Sequence, residues 1–169
     1  MAITLDNQTT ITPDGVIEIT RVFDVPREVV WKAWTDADEL QRWWGPMCFT
    51  CPASRIDLRV GGTYHHCMRA PDGKDYWSTG TYKEIVPLER IAATDSFADE
   101  KGNVVSAADI GMGDAWPLEM HFTIKFEDLG GRTQFRIQHQ GIPEGPVREM
   151  CAQGWNESFD KMADCLSNA

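Results

Sequence analysis

A chain of 169 residues with 42% hydrophobic and 25% charged residues has the size and make-up of one globular domain, able to bury roughly 70% of the surface its unfolded form exposes. Its formal net charge of −10, from 16 Lys and Arg against 26 Asp and Glu, argues against nucleic-acid and anionic-membrane partners, both of which need a concentrated basic surface. No run approaches the roughly eighteen apolar residues of a membrane-spanning helix, and the opening MAITLDNQTTITPDG has neither the basic start nor the apolar stretch of a targeting segment, so a cytoplasmic location with reduced thiols is expected.

Residues 1–15 are polar and end in the turn signal Pro13-Asp14-Gly15, which predicts a loosely ordered lead-in to a single domain over 16–169. Val16 to Phe23 is rich in β-branched residues and predicts the first strand. Pro26 then suits the first turn of a helix in which Val29, Val30, Ala33 and Trp34 recur at helical spacing. Thr35 or Asp36 can cap a second short helix, Ala37 to Trp44, stopped by Gly45-Pro46. Six strands separated by turns follow: Ser54 to Val60, Thr63 to Arg69, Tyr76 to Val86, Arg90 to Phe97, Leu118 to Glu127 and Arg132 to Gln140. A polar loop, Ala98 to Asp114, interrupts the series. The last two strands alternate cleanly, with Met120, Phe122, Ile124 and Phe126 on one face and Phe135 and Ile137 on the matching face of the next. Gly145 to Ala169 predicts one long helix, because Val147, Cys151, Trp155, Phe159, Met162 and Leu166 fall on one side of a 3.6-residue repeat and Glu149, Gln153, Asn156, Asp160, Asp164 and Ser167 on the other. Gly154, on the apolar side, suggests a close approach by another element or a ligand. A curved antiparallel sheet holding this helix on its apolar face buries both.

Three local patterns have bland explanations that outweigh sharper ones. Trp31, Trp34, Trp43 and Trp44 read as core packing rather than a stacking platform. Asp57 and Arg59 read as a structural ion pair beside Gly61-Gly62. Cys48-Phe49-Thr50-Cys51 lacks a second ligand pair for zinc and sits between Pro46 and Pro52 rather than at the start of a helix, so neither a metal nor a redox role is expected of it. No cofactor motif is present.

An ordered set of short motifs spans residues 16–167: Arg21-Val22-Phe23 with Pro26, Val30-Trp31-Lys32-Ala33-Trp34-Thr35-Asp36, Leu40, Trp43-Trp44-Gly45-Pro46, Asp57 to Gly62, Gly80 to Ile85 with Pro87, Thr133, and Gly154-Trp155. Each piece is weak alone and specific in sequence with the others. The set resembles the START-related helix-grip superfamily, also called SRPBCC, and within it the branch named after the activator of the heat-shock-protein-90 ATPase. The resemblance implies an α+β helix-grip fold, in which a seven-stranded curved antiparallel sheet surrounds a long C-terminal helix, two short helices follow the first strand, and a cavity often lies between sheet and helix. It implies no reaction, since relatives include lipid and hormone carriers, cyclases, resistance proteins and a co-chaperone domain.

On that pattern Tyr64, His66 and Met68 point inward, and strand alternation brings His139 to the face of Phe135 and Ile137 and Asp95 to the face of Ile91 and Ala93. Inward polar groups need partners, because an uncompensated buried His or Asp costs several kcal/mol. The candidate cavity set is therefore Tyr64, His66, Met68, Trp77, Asp95, Phe122, Phe135, His139 and Trp155. The leading expectation is a binder of a small hydrophobic or aromatic molecule. Two alternatives are a protein-interaction module similar to the co-chaperone domain, and a cyclase or hydrolase with His66 or His139 as general base, for which no nucleophile, base and orienting group can be placed together from spacing alone. The same stripe that defines the terminal helix predicts Trp155 to be buried against the sheet.

Overall fold

The computed structural model describes residues 7–167. They form one antiparallel sheet in the order β1-β2-β8-β7-β6-β5-β4-β3, crossed by a 22-residue helix, α3, Pro146–Ser167. The strands are β1 Asn7–Ile11, β2 Ile17–Phe23, β3 Ser54–Ile56, β4 Thr63–Arg69, β5 Asp75–Val86, β6 Arg90–Ala98, β7 Met120–Asp128 and β8 Thr133–Gln140. Two short helices, α1 Arg27–Thr35 and α2 Ala37–Leu40, connect β2 to β3, and a 3-10 turn, Ala108–Ile110, interrupts the loop from β6 to β7.

The sheet has eight strands where the sequence predicts seven. The extra strand, β1, lies in the segment predicted as a loose lead-in; residues 1–6 of that segment are outside the described residues. All five β1 residues are exposed, so no in-out alternation marks them. Pairing from Asn7 with Arg21 to Ile11 with Ile17 and a hydrogen bond from Asn156 Nδ2 to Thr9 Oγ1 (2.9 Å) hold the strand in place. The two short helices therefore follow the second strand. The second of them is shorter than predicted, and Asp36 is its cap, accepting from the backbone N–H groups of Asp38 and Glu39. β3 is also shorter than predicted: it stops at Ile56, which leaves the Asp57–Arg59 ion pair (2.9 Å) in an exposed turn rather than on a strand.

β2 and β8 pair from Ile17 with His139 to Phe23 with Thr133, and their inward residues Ile17, Ile19, Phe135 and Ile137 are fully buried. Over them lie Trp34 of α1, Trp43 and the C-terminal half of α3. Trp34 stacks on Phe135 (5.5 Å between ring centres, 21°), and Phe159 meets Phe135 edge-on at 5.1 Å. Trp31, Trp34 and Trp43 thus serve in packing, as predicted, with the Trp43 indole N–H satisfied by the Ala33 carbonyl at 3.0 Å. Arg21, inward on β2, clamps α3 to the sheet by donating to Asp160 Oδ1 (2.7 Å) and the Asn156 carbonyl (2.9 Å).

The other half of the sheet bends away from this packed region. The register of β5 and β6 slips between Tyr82 and Glu84, a bulge that sharpens strand curvature. Just before it, a side chain on Gly80 would lie 1.9 Å from the Thr94 carbonyl oxygen and 2.5 Å from Tyr64 Cε2. Only glycine lets the Tyr64 ring lie flat across β5 toward β6.

Candidate functional site

Where the sheet bends away, a cleft of about 470 Å³ opens between it and the N-terminal half of α3. Its floor is made by inward residues of β4 to β8, among them Tyr64, Met68, Asp95, Phe122 and His139. Val147, Met150, Cys151, Gly154, Trp155 and Ser158 of α3 form its roof. One side is the loop Trp44-Gly45-Pro46 with Phe49. Lys161 anchors that loop, donating to the carbonyls of Gly45, Pro46 and Phe49 at 2.9, 3.3 and 3.0 Å. The opposite side is Met112 and Trp116 from the β6–β7 loop, with Trp116 edge-on to Phe97 at 5.1 Å. The lining is mainly aromatic rings and the thioethers of Met68, Met112, Met120 and Met150. Asp95 is its one carboxylate, and no Lys or Arg joins it among the described residues.

One line of hydrogen bonds crosses this apolar surface. The Tyr64 hydroxyl donates toward Asp95 Oδ1 and the Thr94 carbonyl, both 3.0 Å away. Asp95 Oδ2 lies 3.0 Å from His139 Nε2, and the Trp155 indole N–H donates to His139 Nδ1 at 3.0 Å. Burial, and then the Asp95 charge, push the Tyr64 pKa well above its usual value, so Tyr64 stays a neutral donor. For His139, burial opposes a charge, while the hydrogen bonds to Asp95 and Cys151 favour one and push the pKa upward. The indole pulls the other way, because it only donates and needs a lone pair on Nδ1. The neutral ring with its proton on Nε2 satisfies both neighbours, and it is the form this geometry requires. Protonating Nδ1 breaks the bond to Trp155.

Six of the nine predicted candidates, Tyr64, Met68, Asp95, Phe122, His139 and Trp155, line the cleft with their side chains. Three do not. Trp77 borders the cleft along β5, but it pairs with Cys67 and its ring stacks on His65 at 4.5 Å on the other face of the sheet, because strand alternation sends Tyr76 and Ser78 inward instead. Phe135 is fully buried between Trp34 and Phe159; it shares its strand face with His139, but lies four residues further into the packed region. His66 points inward as predicted, yet Tyr64 stacks on it at 4.7 Å and Trp44 covers it at 4.8 Å. Its Nδ1 pairs with Ser54 Oγ at 2.8 Å, and it borders only a void of about 10 Å³. Burial lowers its pKa to about 3, which fixes a neutral structural histidine. Trp155 is half-buried rather than sealed, stacked on Phe159 at 5.5 Å with its other side toward the cleft.

Sequence reasoning missed Trp44, Met112, Trp116 and Cys151. Met112 and Trp116 sit in or beside a loop whose composition is polar overall. Cys151 carried a usable signal: it stands one helical turn before Trp155 on the same face, and the structure brings its Sγ to 4.0 Å from His139 Nδ1. Cys48 is exposed, in a left-handed backbone conformation (φ 70°), while Cys51 is buried.

A family model described as activator of Hsp90 ATPase homolog 1-like protein matches residues 24–167. A solved structure from Chromobacterium violaceum is 31% identical, with 92% of this chain and 98% of that one aligned at a TM-score of 0.75. One from Arthrobacter aurescens is 25% identical over 98% of this chain and 93% of its own, with a TM-score of 0.76. An AHSA1 protein from Silicibacter pomeroyi shares the fold at 21% identity, 90% and 97% coverage and a TM-score of 0.72. No curated protein matches the chain.

Proposed function

Because the chain belongs to the family of activator of Hsp90 ATPase homolog 1-like proteins, whose fold permits many uses, function has to be argued from the cleft, and we propose that this cleft binds a small, neutral, apolar or aromatic molecule carrying one polar group. The observation behind this reading is the lining itself: aromatic rings and four methionines around a single polar line, Tyr64–Asp95–His139–Trp155. A volume of about 470 Å³ lies within the roughly 300–1,000 Å³ of small-molecule sites. Thioethers fit ligands of varied outline because their side chains are unbranched and polarizable. Asp95 without a lining cation disfavours acidic ligands by charge repulsion and favours a hydroxyl, phenol or carbonyl group that can join the hydrogen-bonded line.

A protein-interaction role gains support from one feature, the exposure of Met150 and Met112 at the cleft, which would receive an apolar side chain of a partner in the same place. Titration with a naphthol, followed by tryptophan emission, tests the small-molecule reading. Saturable quenching is expected in the wild type. Val147→Trp, which fills the cleft from the first turns of α3, should weaken it at least tenfold with the melting temperature little changed. Equal quenching in both proteins would refute the assignment.

A further inference from the structure

Three groups with complementary chemistry meet at the roof of the cleft. Cys151 is half-buried, lines the cleft, and has its Sγ 4.0 Å from His139 Nδ1. The far nitrogen of that ring, Nε2, is held by Asp95 Oδ2 at 3.0 Å. Because the carboxylate fixes the ring proton on Nε2, Nδ1 is the ring's acceptor; its lone pair takes the Trp155 indole N–H at 3.0 Å, with the thiol beside it at 4.0 Å, where imidazole can act as a base toward sulfur once the indole lets go. His139 is buried and cannot turn to solvent. A separation of 4.0 Å is loose for an unliganded site and within the range from which such contacts tighten when a ligand binds.

We propose that Cys151, with His139 as general base and Asp95 as its positioning residue, is a nucleophilic site that adds to an apolar α,β-unsaturated carbonyl compound held in the cleft. The proposal rests on the small-molecule reading above and names the ligand's reactive group. In the step, Nδ1 takes the thiol proton and the sulfur electron pair forms a C–S bond to the β-carbon. The C=C π pair moves to the α-carbon and carbonyl oxygen. Nδ1–H then returns its proton to the α-carbon, leaving a saturated thioether and a neutral imidazole. Nothing leaves, and no external oxidant, reductant or second substrate is consumed. An unsaturated carbonyl fits the cleft because it is neutral, carries one polar group and presents an electrophilic carbon beside an apolar body.

Trp155 restrains this site. Its indole N–H occupies the same Nδ1 lone pair that must receive the thiol proton, and it stands one turn from Cys151 on the same helix. A ligand that shifts the indole releases the base at the moment it arrives. This gives an expectation that a packing role for Trp155 does not: Trp155→Phe, which keeps an aromatic ring and removes the donor, should increase Cys151 reactivity, and the increase should vanish in the Trp155→Phe/His139→Gln double variant.

The test is peptide-resolved alkylation of the native full chain at neutral pH, with iodoacetamide as a general thiol reagent and benzylideneacetone as the apolar unsaturated carbonyl. Cys151 is expected to react with benzylideneacetone at least tenfold faster than the exposed Cys48. His139→Gln and Asp95→Asn should each lower that rate at least tenfold and move its pH dependence to that of an ordinary thiol, rising only toward about 8.5. The two variants alter different residues, so folding of either keeps the test open, and naphthol binding by the folded variant is measured in parallel. Cys151 no faster than Cys48, or a rate indifferent to both substitutions, overturns the proposal; if naphthol still binds, the small-molecule reading survives it. A His139-dependent reaction with iodoacetamide but no enhancement with benzylideneacetone and no naphthol binding overturns the ligand class and the small-molecule reading together.

Discussion

Phe159, Met162 and Leu166, on the C-terminal half of α3, are buried against the sheet, with Phe159 touching the rings of Trp34, Trp43 and Phe135. Val147, Cys151 and Trp155 continue the same stripe toward the N-terminus, yet they are half-exposed and face an open cleft. A helical repeat reports which side of a helix turns inward, and it says nothing about whether the space on that side is filled. Here α1 and Trp43 fill it at one end; at the other, the bulged β5 and β6 curve away and nothing from the described chain replaces them. The same contrast separates two inward histidines, His66 sealed between rings and His139 on the cleft floor.

The largest expected effect breaks the symmetry of the stripe. Phe159→Ala should cost roughly 3 to 5 kcal/mol in urea unfolding, as truncations of fully buried aromatics do. Trp155→Ala should cost no more than about 2 kcal/mol, because its cleft-facing side is already unpacked, while naphthol binding is lost. Equal costs for the two would mean that the cleft is closed in solution.

The histidines sharpen the comparison through pH. His66 has a pKa depressed to about 3 in the folded protein, against about 6.5 unfolded. Its contribution to stability is therefore complete above about pH 6.5 and declines as the pH falls toward 3, because the unfolded chain takes up a proton that the folded chain refuses, at up to about 1.4 kcal/mol per pH unit. His66→Phe should remove this part of the acid sensitivity. At neutral pH it should cost about 1 to 3 kcal/mol, since Ser54 loses its partner, and naphthol affinity should stay within about twofold. Denaturation curves at several pH values measure the first two effects; a large fall in affinity would return His66 to the binding site.

The smallest effect concerns Gly154. A methyl group there would meet only Pro46 Cγ, at 3.4 Å. Gly154→Ala should thus stabilise the helix by roughly 0.5 to 1 kcal/mol, measured by thermal unfolding. A loss of stability would show that the Lys161-anchored loop cannot give way.

What could be read from the sequence follows from these contrasts. Strands with one packed and one wet face, such as Met120 to Phe126 and Phe135 to His139, declare themselves by alternation, and through it the inward direction of Asp95 and His139 was legible. β1 was not, because an edge strand with every residue exposed carries no pattern to read. Met112 and Trp116 escaped because the long loop that carries them is polar on average and only the fold brings them to the cleft. The Cys151–His139–Asp95 arrangement was hidden for a different reason: its members come from α3, β8 and β6, and only sheet order and helix crossing bring them within hydrogen-bonding range.

The central claim, an open binding end beside a sealed end of one helix–sheet seam, is tested most directly by methyl NMR of methionine-labelled protein during naphthol titration. Met68, Met112, Met120 and Met150 line the cleft, and Met162 is fully buried on the C-terminal half of α3. Saturable shifts at the four cleft methyls with Met162 unmoved are the predicted result. Shifts led by Met162, or confined to the exposed Met47, would contradict the account.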